Sequence, residues 1–103
     1  MKRLEIIANQ SVREELIEEI ETAMPDVEYT MIPIVHGKGR RKRKEGTRTW
    51  PETNFYLLVY LDEEGLAAAE AAVKDITRRF PDEGIYAAIS DADPIVFDGA
   101  TEP

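Results

Sequence analysis

The sequence predicts an α+β domain in which two helices cover one face of a four-stranded antiparallel sheet, with the element order β-α-β-β-α-β. Three observations predict it. Two segments repeat apolar residues at spacings of three and four, the period of a helix, and four others alternate or run apolar in the manner of strands. The segments follow one another in an order broken once, by a basic stretch between the second and third strands. Finally, 103 residues that are 43% hydrophobic and 33% charged suit a single domain of ordinary size.

Strand one is expected over Arg3–Ala8, where Leu4, Ile6 and Ala8 share a face at period two. Ser11 followed by Glu14 has the spacing of a capping box, and Val12, Leu16, Ile20 and Ala23 then recur at helical intervals, giving helix one over about Val12–Met24 before Pro25. Val27–His36 is β-branched or apolar on both faces. Its Pro33 has no N–H to give a ladder, so strand two belongs at a sheet edge or a bulge. Strand three, Asn54–Leu61, sets Phe55, Leu57, Val59 and Leu61 against Tyr56, Leu58 and Tyr60 and must be covered on both faces. Asp62 caps helix two, in which Leu66, Ala69, Val73, Ile76 and Phe80 keep helical spacing until Pro81. Strand four is Ile85–Ser90, and an acidic tail over 91–103 contains the apolar run "PIVF".

This order is that of the ferredoxin-like fold, in which strand two lies at an edge and one sheet face is left open. Here that face would expose Tyr56, Leu58, Tyr60, Ile32 and Ile34, more apolar surface than a monomer tolerates. Either the tail folds beneath it through Ile95, Val96 and Phe97, or further copies of the chain cover it. The expectation is a homo-oligomer.

Charge is unevenly placed. Gly37–Trp50 carries seven basic residues and one acid, or +6, while the rest holds six basic and twenty acidic residues, or −14. Such a segment cannot enter a core, and its glycines give it backbone freedom, so it reads as a mobile loop. With no Cys, disulfides, thiolate metal sites and a Cys nucleophile are excluded. "MKRLEIIANQ" lacks the apolar core and cleavage site of a secretory leader, and no apolar run approaches the ~20 residues of a membrane span. The expected compartment is the cytoplasm.

"VHGKGR", at the end of strand two, resembles the V-x-G-x-G-R segment that opens the T-loop of PII signal-transduction proteins. "TWPETNF" is similar to the Trp-Pro-x-x-Asn segment leading into strand three in PII-like proteins with a shortened T-loop. The resemblance in element order covers residues 1–90, read as a PII-like domain whose T-loop-like segment spans 37–52. It implies a homotrimer with intersubunit clefts that bind a small anionic effector, an adenine nucleotide or bicarbonate. It also implies a loop that touches a target protein, such as a membrane transporter. The pattern departs at "DEGIY", where Gly84 and Ile85 match but the family's phosphate-binding Lys is missing, and in the tail, which has no basic residue. No Tyr lies within 37–53, so the T-loop tyrosine that some members uridylylate has no counterpart.

The residues themselves support an anion site at the loop base. Gly37 and Gly39 flank Lys38 and would let backbone N–H groups approach an anion, while Arg40 and Arg41 add forked donors; Gly84 completes the expected set. Lys42, Arg43, Lys44, Arg48 and Trp50 are the expected partner-binding residues, with Trp50 also able to anchor the loop's return to the sheet. "RRKRK" alone reads equally as a nucleic-acid patch, but the acidic body and the absence of interleaved aromatic residues oppose that reading. His36 is the only histidine, so no metal site is expected. Glu63–Glu64 and Glu18–Glu19 fall on helix surfaces beside no nucleophile, so neither an enzyme nor a cofactor is expected. A ferredoxin-like oligomeric enzyme and a small nucleic-acid binder remain the competing classes.

Overall fold

The computed structural model describes residues 1–37 and 52–96. In chain order its elements are β1 (Lys2–Asn9), a single 3-10 turn (Gln10–Val12), α1 (Arg13–Ala23), β2 (Thr30–Gly37), β3 (Glu52–Leu61), α2 (Glu63–Arg79) and β4 (Ile85–Asp91). The strands form one sheet in the order β2-β3-β1-β4 with every neighbouring pair antiparallel, which is the ferredoxin-like arrangement.

Alternation in β1 and β3 decides which face is buried. Leu4, Ile6 and Ala8 stand opposite Val59, Leu57 and Phe55, and all six are buried under the helices. Val12 of the 3-10 turn, Leu16 and Ile20 of α1, Leu61 at the end of β3, and Ala69, Ala72 and Ile76 of α2 complete this core. No polar or charged residue as a whole is buried among the described residues, so apolar burial is what holds this layer together. Arg79 of α2 ties the helices at their exposed rim, donating to Glu19 at 2.8 Å.

Helix two starts as its sequence dictates: the Asp62 carboxylate accepts the Gly65 N–H at 2.8 Å. A Cβ at Gly65 would lie 3.3 Å from that carboxylate oxygen and 3.2 Å from Leu61 Cδ2, so glycine leaves the cap its room. Glu63 and Glu64 occupy the first turn and Arg78 and Arg79 the last, each favourably placed for the helix dipole. Pro33 also sits where its chemistry allows, since β2 is an edge strand whose register with β3 breaks between Ile32 and Val35.

Two expectations need correction, and one alternative is not met. The Ser11–Glu14 capping box does not form. The Asn9 side chain captures the Ser11 N–H at 2.9 Å, a 3-10 turn begins at Gln10, and the Ser11 hydroxyl donates instead to Glu83 at 2.6 Å. Strand two begins at Thr30, because residues 27–29 precede its pairing with β3. The tail does not fold beneath the sheet as far as it is described: Ile95 is 99% and Val96 82% exposed. Phe97 lies outside the described residues.

The sheet face away from the helices is open and apolar. Register places Ile32, Tyr56, Ile7 and Tyr86 in one row across all four strands, and Thr30, Leu58, Glu5 and Ala88 in the next. Ile34 is 60% exposed within the bulge. Ile7 and Tyr86 extend the surface expected from strands two and three alone. Within it the Tyr56 hydroxyl donates to Glu5 Oε2 at 2.9 Å, and burial together with this carboxylate pushes the phenol above its ordinary value.

Candidate functional site

Of the expected site residues the structure places two, Gly37 and Gly84, at the end of the sheet where β1 and β2 finish and β3 and β4 begin. Gly37 closes β2 opposite Glu52, Val35 and Asn9 both stand opposite Asn54, and Ala8 stands opposite Ile85. Residues 38–51, between Gly37 and Glu52, therefore leave and re-enter the sheet through adjacent, hydrogen-bonded strands. Lys38, Gly39, Arg40, Arg41, Lys42, Arg43, Lys44, Arg48 and Trp50 lie outside the described residues.

Gly84, the other expected effector residue, immediately precedes β4, and its carbonyl accepts the Asn9 N–H at 3.0 Å. Gly37 and Gly84 thus share an end of the sheet but occupy its opposite edges. Three inter-strand steps of about 4.8 Å separate the strands that carry them by roughly 14 Å, too far for one small anion to touch both in one chain. A cleft using both would have to join the Gly37 edge of one copy to the Gly84 edge of another.

The electrostatics of the Gly84 edge are unfavourable for phosphate on their own. Asp82 and Glu83 precede the glycine, and the Ser11 hydroxyl already occupies one oxygen of Glu83. An anion held there would need its cations from the basic segment.

Between the two edges runs a turn that sequence reasoning missed. Gln10 Nε2 donates to the Asn54 carbonyl at 3.0 Å and to the Pro33 carbonyl, so one side chain braces both the β2 bulge and the start of β3. Its neighbours Asn9 and Ser11 hold the Gly84 turn. The available signal was Asn9 itself, a residue that builds turns by accepting the amide two positions on.

His36 is exposed opposite Thr53 in β2. Among the described residues no group of three or more His, Cys, Asp or Glu could hold a metal ion. Glu63, Glu64 and Glu18 are exposed on the helices, and Glu19 is engaged by Arg79. A shallow cavity of about 170 Å³ lies between α2 and β4, lined mainly by Leu4, Val73, Ala87 and Ile89, with Glu70 and Lys74 its ionisable neighbours. Its lining is mostly apolar.

No protein-family model matches the sequence, and no curated protein matches it. Solved structures do match in three dimensions. The chain is similar to a PII-like signalling protein of Thermus thermophilus, with 20% identity and a TM-score of 0.57 over 86% of this chain and 83% of that one. It is also similar to CPII, a nitrogen regulatory PII-like protein of Thiomonas intermedia bound to ADP, AMP and bicarbonate, with 18% identity and a TM-score of 0.60 over 86% and 84% of the two chains. The de novo designed protein Foldit4 matches at 16% identity and a TM-score of 0.54 over 89% of this chain and 98% of its own. The chain therefore has the fold found in PII-like signalling proteins, and the match to a designed protein marks that fold as separable from any one function.

Proposed function

We propose that this chain is a PII-like regulatory protein that senses a small anionic effector, an adenine nucleotide or bicarbonate, in clefts between the subunits of a homotrimer. It controls a partner, such as a membrane transporter, through its basic segment, and it acts without catalysis, in the cytoplasm. The observation that carries the reading is the rooting of residues 38–51 in the paired ends of β2 and β3, at Gly37 and Glu52. Both ends of the seven-cation segment are thereby joined to an otherwise acidic body. The segment's electrostatic reach is set by a Debye length of about 8 Å at physiological salt.

The separation of Gly37 from Gly84 supports an effector cleft shared between copies. Gly37, Lys38, Gly39, Arg40 and Arg41 would supply one wall and Gly84 of the next copy the other. CPII binds ADP, AMP and bicarbonate, which supports this class of effector for a chain of the same fold. With acids beside Gly84 in place of a lysine, affinity for phosphate is expected to be weak.

One observation favours a second reading, a nucleic-acid binder: Tyr56, Tyr60 and Tyr86 lie on the open sheet face, where bases could stack. Glu5 stands among them and would repel the phosphates. Both readings meet in one experiment, a pull-down from cell membranes run beside DNA and RNA shift assays with wild type and a Lys42/Arg43/Lys44→Ala triple variant. The regulator reading expects capture of a membrane protein that the variant loses, weakening as salt rises, with no nucleic-acid shift. Tight nucleic-acid binding without a protein partner would overturn it.

A further inference from the structure

Arg3 and Glu5 lie two residues apart on β1 and therefore share the open face of the sheet. Arg3 stands opposite Tyr60 and Ser90, and Glu5 opposite Leu58 and Ala88. Their side chains differ in one respect. Glu5 Oε2 is held by the Tyr56 hydroxyl at 2.9 Å, whereas Arg3 Nε is buried without a hydrogen-bond partner, the one such side-chain atom among the described residues. Folded proteins rarely leave a buried donor unmade, because its lost hydration is not returned. Directly alongside runs the apolar row in which Ile32, Ile7 and Tyr86 are 48%, 36% and 59% exposed. An apolar strip bordered on one side by an anchored carboxylate and, one row beyond it, by a guanidinium whose buried Nε lacks an acceptor offers a second copy both apolar area and a charge to pair.

We infer that, where the open faces of neighbouring copies meet, Arg3 of one copy donates to Glu5 of the next. The inference rests on the homo-oligomer proposed above and adds the contact that fixes its register. In a closed ring each copy gives Arg3 to one neighbour and Glu5 to the other, so the charges in the interface cancel. The apolar row supplies the contact area, and the ion pair rejects arrangements that would bury either charge alone. Tyr56 holds the Glu5 carboxylate in position to receive the guanidinium.

Light scattering on the full chain, with circular dichroism to confirm folding, tests this. Wild type should be an oligomer. Arg3→Glu and Glu5→Arg should each lower the mass to that of one chain, and the double exchange Arg3→Glu/Glu5→Arg should restore it. A wild-type monomer would refute the oligomer reading itself. An oligomeric wild type whose mass neither single reversal changes, or a double exchange that stays monomeric, would overturn only the Arg3–Glu5 contact. If the reversals do not fold, Arg3→Lys decides. A contact between copies predicts a loss of thermal stability that grows as the protein is diluted, and a loss independent of concentration would overturn it.

Discussion

Leu58→Glu is expected to dissociate the proposed homo-oligomer or unfold the chain, read as a loss of mass in light scattering. Leu58 is half-buried on the open face, between Thr30 on β2 and Glu5 on β1. A glutamate there would bury a charge without a partner in the interface, at a cost of several kcal/mol, and would stand directly opposite the Glu5 carboxylate. Both effects act in the same direction. An unchanged mass would mean that this face is not the one that meets other copies.

Phe55→Ala is expected to remove about 3–5 kcal/mol of folding stability, measured by chemical denaturation. Phe55 is fully buried beneath the helices and is among the largest side chains of the core. Its loss opens a cavity that Ala8, its neighbour across the ladder, is too small to fill. For a domain whose total stability is of order 5–15 kcal/mol this is a large share. Phe55 belongs to the helix layer and Leu58 to the open face, so together they separate folding from assembly. A loss below about 1 kcal/mol for Phe55→Ala would contradict the packing described for the helix layer.

Much of this architecture was legible in the residues because period and burial coincide. Phe55, Leu57 and Val59 alternate with Tyr56, Leu58 and Tyr60, and the structure sends the two sets to opposite faces. Pro33 announced an edge, since no central strand can spare its N–H. The failures were of two kinds. At Ser11 the spacing to Glu14 satisfied one local motif while Asn9, two residues earlier, satisfied a competing one and captured the amide. The brace made by Gln10 joins residues 23 and 44 positions apart, so no local pattern encodes it. Ile7 was hidden for a related reason: it shares the outward face of β1 with Arg3 and Glu5, so that face reads as solvated. Gly37 and Gly84 were both named from the sequence. Their placement on opposite edges appears only once the order β2-β3-β1-β4 is known.

The proposed function stands or falls on the sensing of a small anion at the base of the loop, which titration calorimetry with ATP, ADP, AMP and bicarbonate reads out on wild type and on Arg40→Ala. The oligomer should bind at least one of the four weakly, and the variant should bind it roughly tenfold or more less tightly, as expected when a charge-assisted contact is lost. No binding of any of them, or binding that Arg40→Ala leaves unchanged, would contradict an anion site built on this segment.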